Sequence, residues 1–293
     1  MTAYLFAVFI VVLIHLLLSL GLTIQYGLTG LINFGIVGFF AIGAYASALL
    51  SLHGVPLLLS VPAAGLLAAL AAWPIGLIAL RLRDDYFAIV TLGFSETVRL
   101  VIVNEAWLTK GVHGVTGIPG LFQRFGSAAP ALTVLALLVI AAVTIVLLQR
   151  IVKSPFGRAL EAVRDDETAL HALGKSPSRF KIEVLILGSL LAGIAGAFYG
   201  HYVTYIVPDQ FVPLTTFYIW MAVIIGGAGR IPGAIFGTVL LIGLLEGSRF
   251  LRDLVPAIPD AEMASVRIAV VGLLLILFMI HRPQGLLGDY TKR

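Results

Sequence analysis

Apolar stretches with few or no charges recur along the whole chain, at residues 5–22, 34–52, 55–80, 86–103, 131–148, 184–207, 211–229, 231–245 and 268–280. A helix needs about 20 such residues to cross about 30 Å of hydrocarbon, and backbone groups in lipid must be satisfied within the chain itself. The nine stretches therefore predict an all-α polytopic membrane protein of about nine (8–10) transmembrane helices. Some are short for a full crossing, and residues 24–31 form an extra apolar piece, so broken or re-entrant helices are expected. The first stretch lacks a basic leader and is longer than a signal-peptide core, so it is expected to be a retained span. Between the stretches no polar segment is long enough to bury a core of its own. Residues 1–293 are therefore expected to form a single transmembrane domain.

The net charge of +4 belongs to membrane topology rather than to nucleic-acid binding. If loops alternate across the bilayer and the long charged segment lies inside, Arg81, Arg83, seven bases within 150–181, Arg230, Arg282, Lys292 and Arg293 share its side. Only Lys110, Arg124, Arg249, Arg252 and Arg267 lie opposite. That asymmetry predicts an outside N-terminus and a cytoplasmic C-terminus. Two outer segments are long enough to carry structure. Residues 104–130 place Gly111, Gly114, Gly117 and Gly120 at three-residue spacing, as a flexible loop or as a docking or gating surface. Residues 249–263 read as a short interfacial helix broken near Pro256 and Pro259.

Apolar residues make up 60% of the chain and charged ones 12%, yet twelve charges fall between Arg150 and Glu183. Ser154 at an N-cap, Pro155 after it, a stripe of Phe156, Leu160, Val163, Leu170 and Leu173, and Gly174 as terminator predict helix there. Asp165, Asp166 and Glu167 interrupt it, which predicts one bent helix or two short ones, with Asp165 as a cap for the second. An anionic inner leaflet would repel three adjacent acids, so the segment at 150–181 is better suited to a protein partner than to lipid headgroups. The tripeptide Gly174-Lys175-Ser176 resembles the end of a P-loop. The first glycine of that motif would fall at Ala169, and no strand precedes it, so nucleotide binding is not expected in this chain.

Glu96 and Arg99 stand at i,i+3 inside a predicted span, where ionisable groups cost about 2.5–3.5 kcal/mol on insertion scales and must face protein or water. They predict either a structural ion pair or part of the path of a zwitterionic solute. "IIGGAGRIPGAIFG" sets Gly226, Gly227, Gly229, Gly233 and Gly237 around Arg230, as close helix packing or as a gate at Arg230. Gly193 and Ala197 offer a second close-packing pair. The absence of cysteine and the scattered histidines predict no metal site, and no catalytic constellation is visible.

"SPFGRALEAVRDDETALHALGKSPSRFKIEVLILGSLLAGIAGAFYGHYVTYIVPDQF", followed by "VIIGGAGRIPGAIFGTVLL", resembles the permease subunits of branched-chain amino-acid family ABC importers. "YGLTGLINFGIVGFFAIGAYASALL" and "DDYFAIVTLGFSETVRLVIVNEAWLTKGVHGVTGIPG" resemble two earlier blocks of that family in the same order, so the likeness covers about residues 21–247. It is greatest to the M-type of two unlike permeases. One departure is Ile36, where many members carry His. The resemblance implies a multi-pass permease of a bacterial or archaeal cytoplasmic (inner) membrane, paired with a second homologous permease subunit. It further implies two cytoplasmic ATPase subunits, which would hold ATP and Mg, and an extracytoplasmic solute-binding protein. Arg158, Glu161, Arg164, Asp165, Asp166, Glu167 and Gly174 would then couple to the ATPase, and the chain itself would be no enzyme. The alternative is an ion-coupled secondary transporter with Glu96 as its coupling carboxylate, or a scaffold that moves nothing.

Overall fold

A computed structural model describes residues 2–79 and 84–247, and beyond them residues 269–270, 272–273, 276–277, 280–281 and 285–287. Arg81, Arg83, the predicted interfacial helix at 249–263, Arg267, Arg282, Lys292 and Arg293 lie outside the described residues. The chain runs through α1 (Thr2–Thr29), α2 (Ile36–Leu52), α3 (Leu57–Ala79), α4 (Asp84–Asn104), α5 (Ala106–Thr109), α6 (Ala129–Lys153), α7 (Pro155–Asp165), α8 (Glu167–Ala172), α9 (Pro177–Val203), α10 (Pro213–Gly226) and α11 (Ile231–Gly247). Among the described residues there is no strand, only an isolated antiparallel bridge between Val115 and Ile206. Among the described residues six helices are long and apolar enough to cross a membrane: α1, α3, α4, α6, α9, and α10 together with the 3-10 turn before it. The shorter apolar helices α2 and α11 accompany them, and the whole is a polytopic α-helical membrane protein.

The predicted separate piece at 24–31 is instead the last turns of α1. This helix has 28 residues, hence a length of about 42 Å. It stops where Gly30 takes a positive φ of 72°, and residues 30–35 form neither helix nor strand before Ile36, itself fully buried, opens α2. Helix continues past Thr23 and Gln25 because their polar groups are met inside the protein. Thr23 donates to Ser19 O over 2.7 Å and Gln25 donates to Leu185 O on α9 over 3.2 Å.

Small residues set how closely the helices approach. Lipid tails are as apolar as leucine, so helices in a membrane associate through packing and hydrogen bonds rather than through exclusion of water. A side chain at Gly43 of α2 would meet the backbone of Gly193 on α9, and one at Gly196 of α9 would meet Phe40 O. At Gly21 of α1 it would meet Gly188 O at 2.8 Å. Helix α9 is thus gripped along its length by α1, α2 and α3. Gly233 and Gly237 likewise press against Gly226 and Ala222, joining α11 to α10. Outward, α3 and α6 present Leu58, Leu66, Leu70, Trp73, Leu135, Val139 and Val143, a broad apolar side suited to lipid.

The glycine-bearing loop is folded onto the bundle rather than tethered loosely to it. Val115 and Ile206 exchange backbone hydrogen bonds of 2.9 and 3.1 Å, and Ile118 N–H donates to Thr204 O. The hydroxyl of Tyr205 donates to His113 O. Gly114, at φ 69°, lies so close to Ile206 O that no side chain fits. Beneath the loop His201, 1% exposed, bonds Pro119 O at 2.9 Å through Nδ1 and Ser47 Oγ at 2.8 Å through Nε2. A carbonyl only accepts, so Nδ1 carries the proton. This histidine ties the loop to α2 and α9.

Candidate functional site

The charged segment folds as two helices, α7 and α8, that meet at Asp166. Ser154 caps α7 by accepting from Gly157 N–H at 3.2 Å, with Pro155 at the first helical position. The second cap is Asp166 and not Asp165. Asp166 leaves the helix at φ −160°, and its carboxylate accepts from Thr168 N–H at 2.8 Å and Ala169 N–H at 3.0 Å. Asp165 still ends α7 in helical conformation, too early to reach those amides. The Ala169 and Thr168 hydrogen bonds hold the Asp166 carboxyl below its ordinary range. A depressed folded-state pKa means that the cap stabilises the α7–α8 junction above the ordinary carboxylate range, and that this is lost as pH falls through the lower folded value. The protection of the Thr168 and Ala169 amides against hydrogen exchange, measured relative to their intrinsic rates at each pH, is therefore expected to fall on acidification. Asp166→Asn should keep the cap without that pH dependence, whereas Asp166→Ala should expose both amides at every pH.

Leu160, Val163 and Leu170 are buried beneath these helices, whereas Leu173 is 77% exposed. Phe156 packs on Phe180 of α9 with ring centres 5.8 Å apart. Two polar tethers fix the segment to different helices. Arg164 donates through Nη1 to Gly27 O in the last turn of α1 at 2.8 Å, and through Nε and Nη2 to Asp165 at 3.1 and 3.0 Å. Glu167 pairs at 2.5 Å with Lys181, a base on α9 whose side chain is only 9% exposed. Of the other predicted coupling residues, Arg158 is exposed and Glu161 half-buried on α7. Gly174, at φ 77°, ends the segment with its N–H on His171 O.

Arg230 follows a backbone break between α10 and α11. Gly227 and Gly229 sit there at φ 110° and 88°, values that glycine adopts without strain. Leu286 N–H and Leu287 N–H donate to Ile225 O and Gly226 O at 2.8 and 3.0 Å, and Arg230 Nη1 reaches Leu287 O at 3.4 Å. Gly27 of α1 meets Gly229 backbone to backbone, and a Cβ on Gly229 would lie 3.7 Å from Arg164 Nη1. The structure thus brings together the predicted coupling segment and the predicted gate.

Glu96 and Arg99 form the i,i+3 pair, with Arg99 Nε on Glu96 Oε1 at 2.9 Å. Arg99 also faces Asp209 at 3.7 Å, in the turn between α9 and α10. Both members of the pair are partly exposed on α4, remote in sequence and chain direction from the α7–α8 segment.

Four features escaped the reading of the sequence: Asp209, Lys181, His201 and an internal polar knot at the α1–α2 break. In the knot Asn33 donates to Gln25 Oε1 at 2.9 Å and accepts Gly35 N–H at 2.7 Å. Thr91 accepts Phe34 N–H at 3.1 Å, and Trp220 Nε1 donates to Asn33 O at 3.0 Å. These bonds satisfy polar backbone groups of the non-helical stretch 30–35 within the bundle. Gln25 and Asn33 are both fully buried. Uncharged polar residues inside apolar stretches were the available signal.

A helical bundle with apolar flanks, backbone breaks satisfied internally and one charged helix pair folded against its end defines a multi-pass membrane protein. The chain belongs to the family described as branched-chain amino acid transport system / permease component, whose model matches residues 4–279. The high-affinity branched-chain amino acid transport system permease protein LivM of Escherichia coli K12 is 36% identical over 300 residues, covering 94% of this chain and 68% of the relative. A probable branched-chain amino acid transport permease protein LivM of Methanocaldococcus jannaschii is 26% identical, covering 94% of this chain and 91% of the relative. The LivH permease protein of the same Escherichia coli system is 26% identical, again over 94% and 91%. No solved structure matches the chain.

Proposed function

We propose that residues 1–293 form one transmembrane permease domain of an ATP-driven (ABC) importer for amino acids of the branched-chain class or related small polar solutes. The chain carries the solute and performs no covalent chemistry. ATP and Mg belong to two cytoplasmic ATPase subunits, a second homologous permease completes the channel, and an extracytoplasmic binding protein delivers solute. The membrane is the cytoplasmic (inner) membrane of a bacterium or archaeon, crossed about nine times, with the N-terminus outside and the C-terminus inside. The shared end of the α7–α8 segment and the α10–α11 break supports that orientation, because both carry bases assigned to the cytoplasmic side.

The observation that carries the reading is the α7–α8 segment itself. It turns an apolar stripe to the bundle and leaves Arg158, Asp165 and Glu167 exposed, a mixed-sign face at the end of the spans. In this reading Arg158, Glu161, Arg164, Asp165, Asp166, Glu167 and Gly174 couple the permease to the ATPase, Arg164 from the inner side of the segment through its bond to Gly27 O and not by touching the ATPase. Glu96 and Arg99 line the solute path, and Arg230 belongs to the inner gate.

Arg158→Glu tests the assignment without touching the Asp166 cap or the Arg164 tether. Like charges brought together across an interface weaken it strongly, so ATPase recovered with the permease should fall about tenfold or more. Insertion and thermal stability should be unchanged. Undiminished ATPase recovery together with normal uptake would remove the segment from the interface. Uptake by this chain alone under an H⁺ or Na⁺ gradient would replace the importer with a secondary transporter.

A further inference from the structure

We infer that Arg164 is a positioning residue that carries displacement of the α7–α8 segment to the end of α1 and, through it, to the break between α10 and α11. The inference rests on the importer reading and names the contact by which its two cytoplasmic elements communicate.

Elementary helix chemistry explains why an arginine stands here. The last carbonyls of α1 lack intrahelical donors, and a cation is favoured at that end. Leu31 N–H, which would continue the helix by bonding Gly27 O, instead bonds Gln25 O at 3.2 Å. Arg164 Nη1 takes its place on Gly27 O at 2.8 Å. The end of α1 is therefore capped by a side chain from the element that receives the stroke. Asp165 holds two other nitrogens of the same planar guanidinium, so the group is fixed in orientation as well as position.

The next contact has no side chain in it. Gly27 and Gly229 touch backbone to backbone, and Arg164 Nη1 lies beside both. A movement of α7 that drags or releases Arg164 must alter either the 2.8 Å hydrogen bond or the position of Gly27. Gly229 cannot yield by rotamer change. It can yield through its own backbone, and Gly227 and Gly229 at positive φ mark the place where α10 and α11 can alter their angle. The second tether, Glu167 to Lys181, runs to α9, the helix packed along most of its length, and serves as the fixed anchor about which α7 moves.

The chain contains no cysteine, so paired spin labels can be placed at will in the assembled transporter. Ala228→Cys reports the α10–α11 turn and Leu77→Cys the end of α3, where Gly76 packs on Ile182 and Leu185 of α9; both positions are exposed. In otherwise unsubstituted permease, ATP should shift the distance between the labels. In Arg164→Gln the ATPase subunits should co-purify in normal amounts and hydrolyse ATP, but the shift should disappear. Where leucine is taken up, leucine moved per ATP should fall about tenfold, the scale of one charged hydrogen bond. Arg164→Lys keeps the charge but not the planar fork, and should show the same loss if the glutamine variant does not accumulate. An unaltered ATP-induced shift in either variant overturns the inference. So does loss of the ATPase subunits, which would make Arg164 a docking residue. Absence of ATPase from the unsubstituted preparation overturns the importer reading itself, and this inference with it.

Discussion

Replacing Gly43 by leucine is expected to abolish the stable bundle. The Cβ of residue 43 on α2 would point at the carbonyl oxygen, Cα and carbonyl carbon of Gly193 on α9. None of these atoms can move aside by changing rotamer. Overpacking a core usually costs about 1–3 kcal/mol where side chains give way. Here two helix backbones must separate, and Gly193 is itself pressed against Ala64, Gly65 and Ala68 of α3, so the loss should reach about 3 kcal/mol or more. Gly93→Leu is the control, because a Cβ at Gly93 meets nothing within 4 Å. At that exposed helical position the change should be neutral or slightly stabilising. Yield in membranes and unfolding in mixed detergent measure both. Equal stability of the two variants would mean that the α2–α9 contact is not as close as described.

The second large effect concerns the charge pair on α4. Arg99→Leu leaves Glu96 without the guanidinium that it binds and deprives Asp209 of its partner. A carboxylate left alone on this apolar helix must be solvated or protonated. Because the Glu96 side chain is 37% exposed and Arg99 reaches Asp209 in an exposed turn, the loss is expected at about 1–2 kcal/mol, below the mid-bilayer cost of one such charge. The double variant Glu96→Gln with Arg99→Leu should recover most of it, since the two effects share one interaction and cannot add. Unfolding of both variants measures the coupling, while uptake separates its meaning. A pair that only locks helices gives a double variant that transports normally. A pair that lines the path of a zwitterionic solute gives a double variant that is stable and fails to transport. Additive destabilisation would show that Glu96 and Arg99 do not depend on one another.

Some of the site was readable in residue order because its chemistry is local. An N-cap at Ser154, proline after it, an apolar stripe and Gly174 at the end all act within one or two turns, and so does the Glu96–Arg99 pair. The cap at the junction was missed by one residue. Asp165 and Asp166 have the same side chain, and what separates them is the backbone conformation that places only Asp166 opposite free amides. Asp209, Lys181 and His201 were not legible, because each acquires its role from a partner far away in the chain. Lys181 was counted among loop bases, yet it stands nearly buried against Glu167. His201 has no histidine at helical spacing, and its partners, Pro119 and Ser47, come from a loop and a distant helix.

The chain's own order of residues determined that it is an α-helical membrane protein and that one charged segment stands apart, since hydrocarbon thickness and backbone satisfaction leave apolar stretches of this length little choice. Where α1 ends was decided only in three dimensions. The apolar stretch ends at Leu22, before Thr23 and Gln25, but a helix ends where its polar groups cease to find partners, and Gln25 and Asn33 found theirs on other elements. The meeting of Arg164, Gly27 and Gly229 was likewise a tertiary decision. Three helix ends converge there because glycine backbones can touch, and no local pattern in any one of the three segments records that the other two are near.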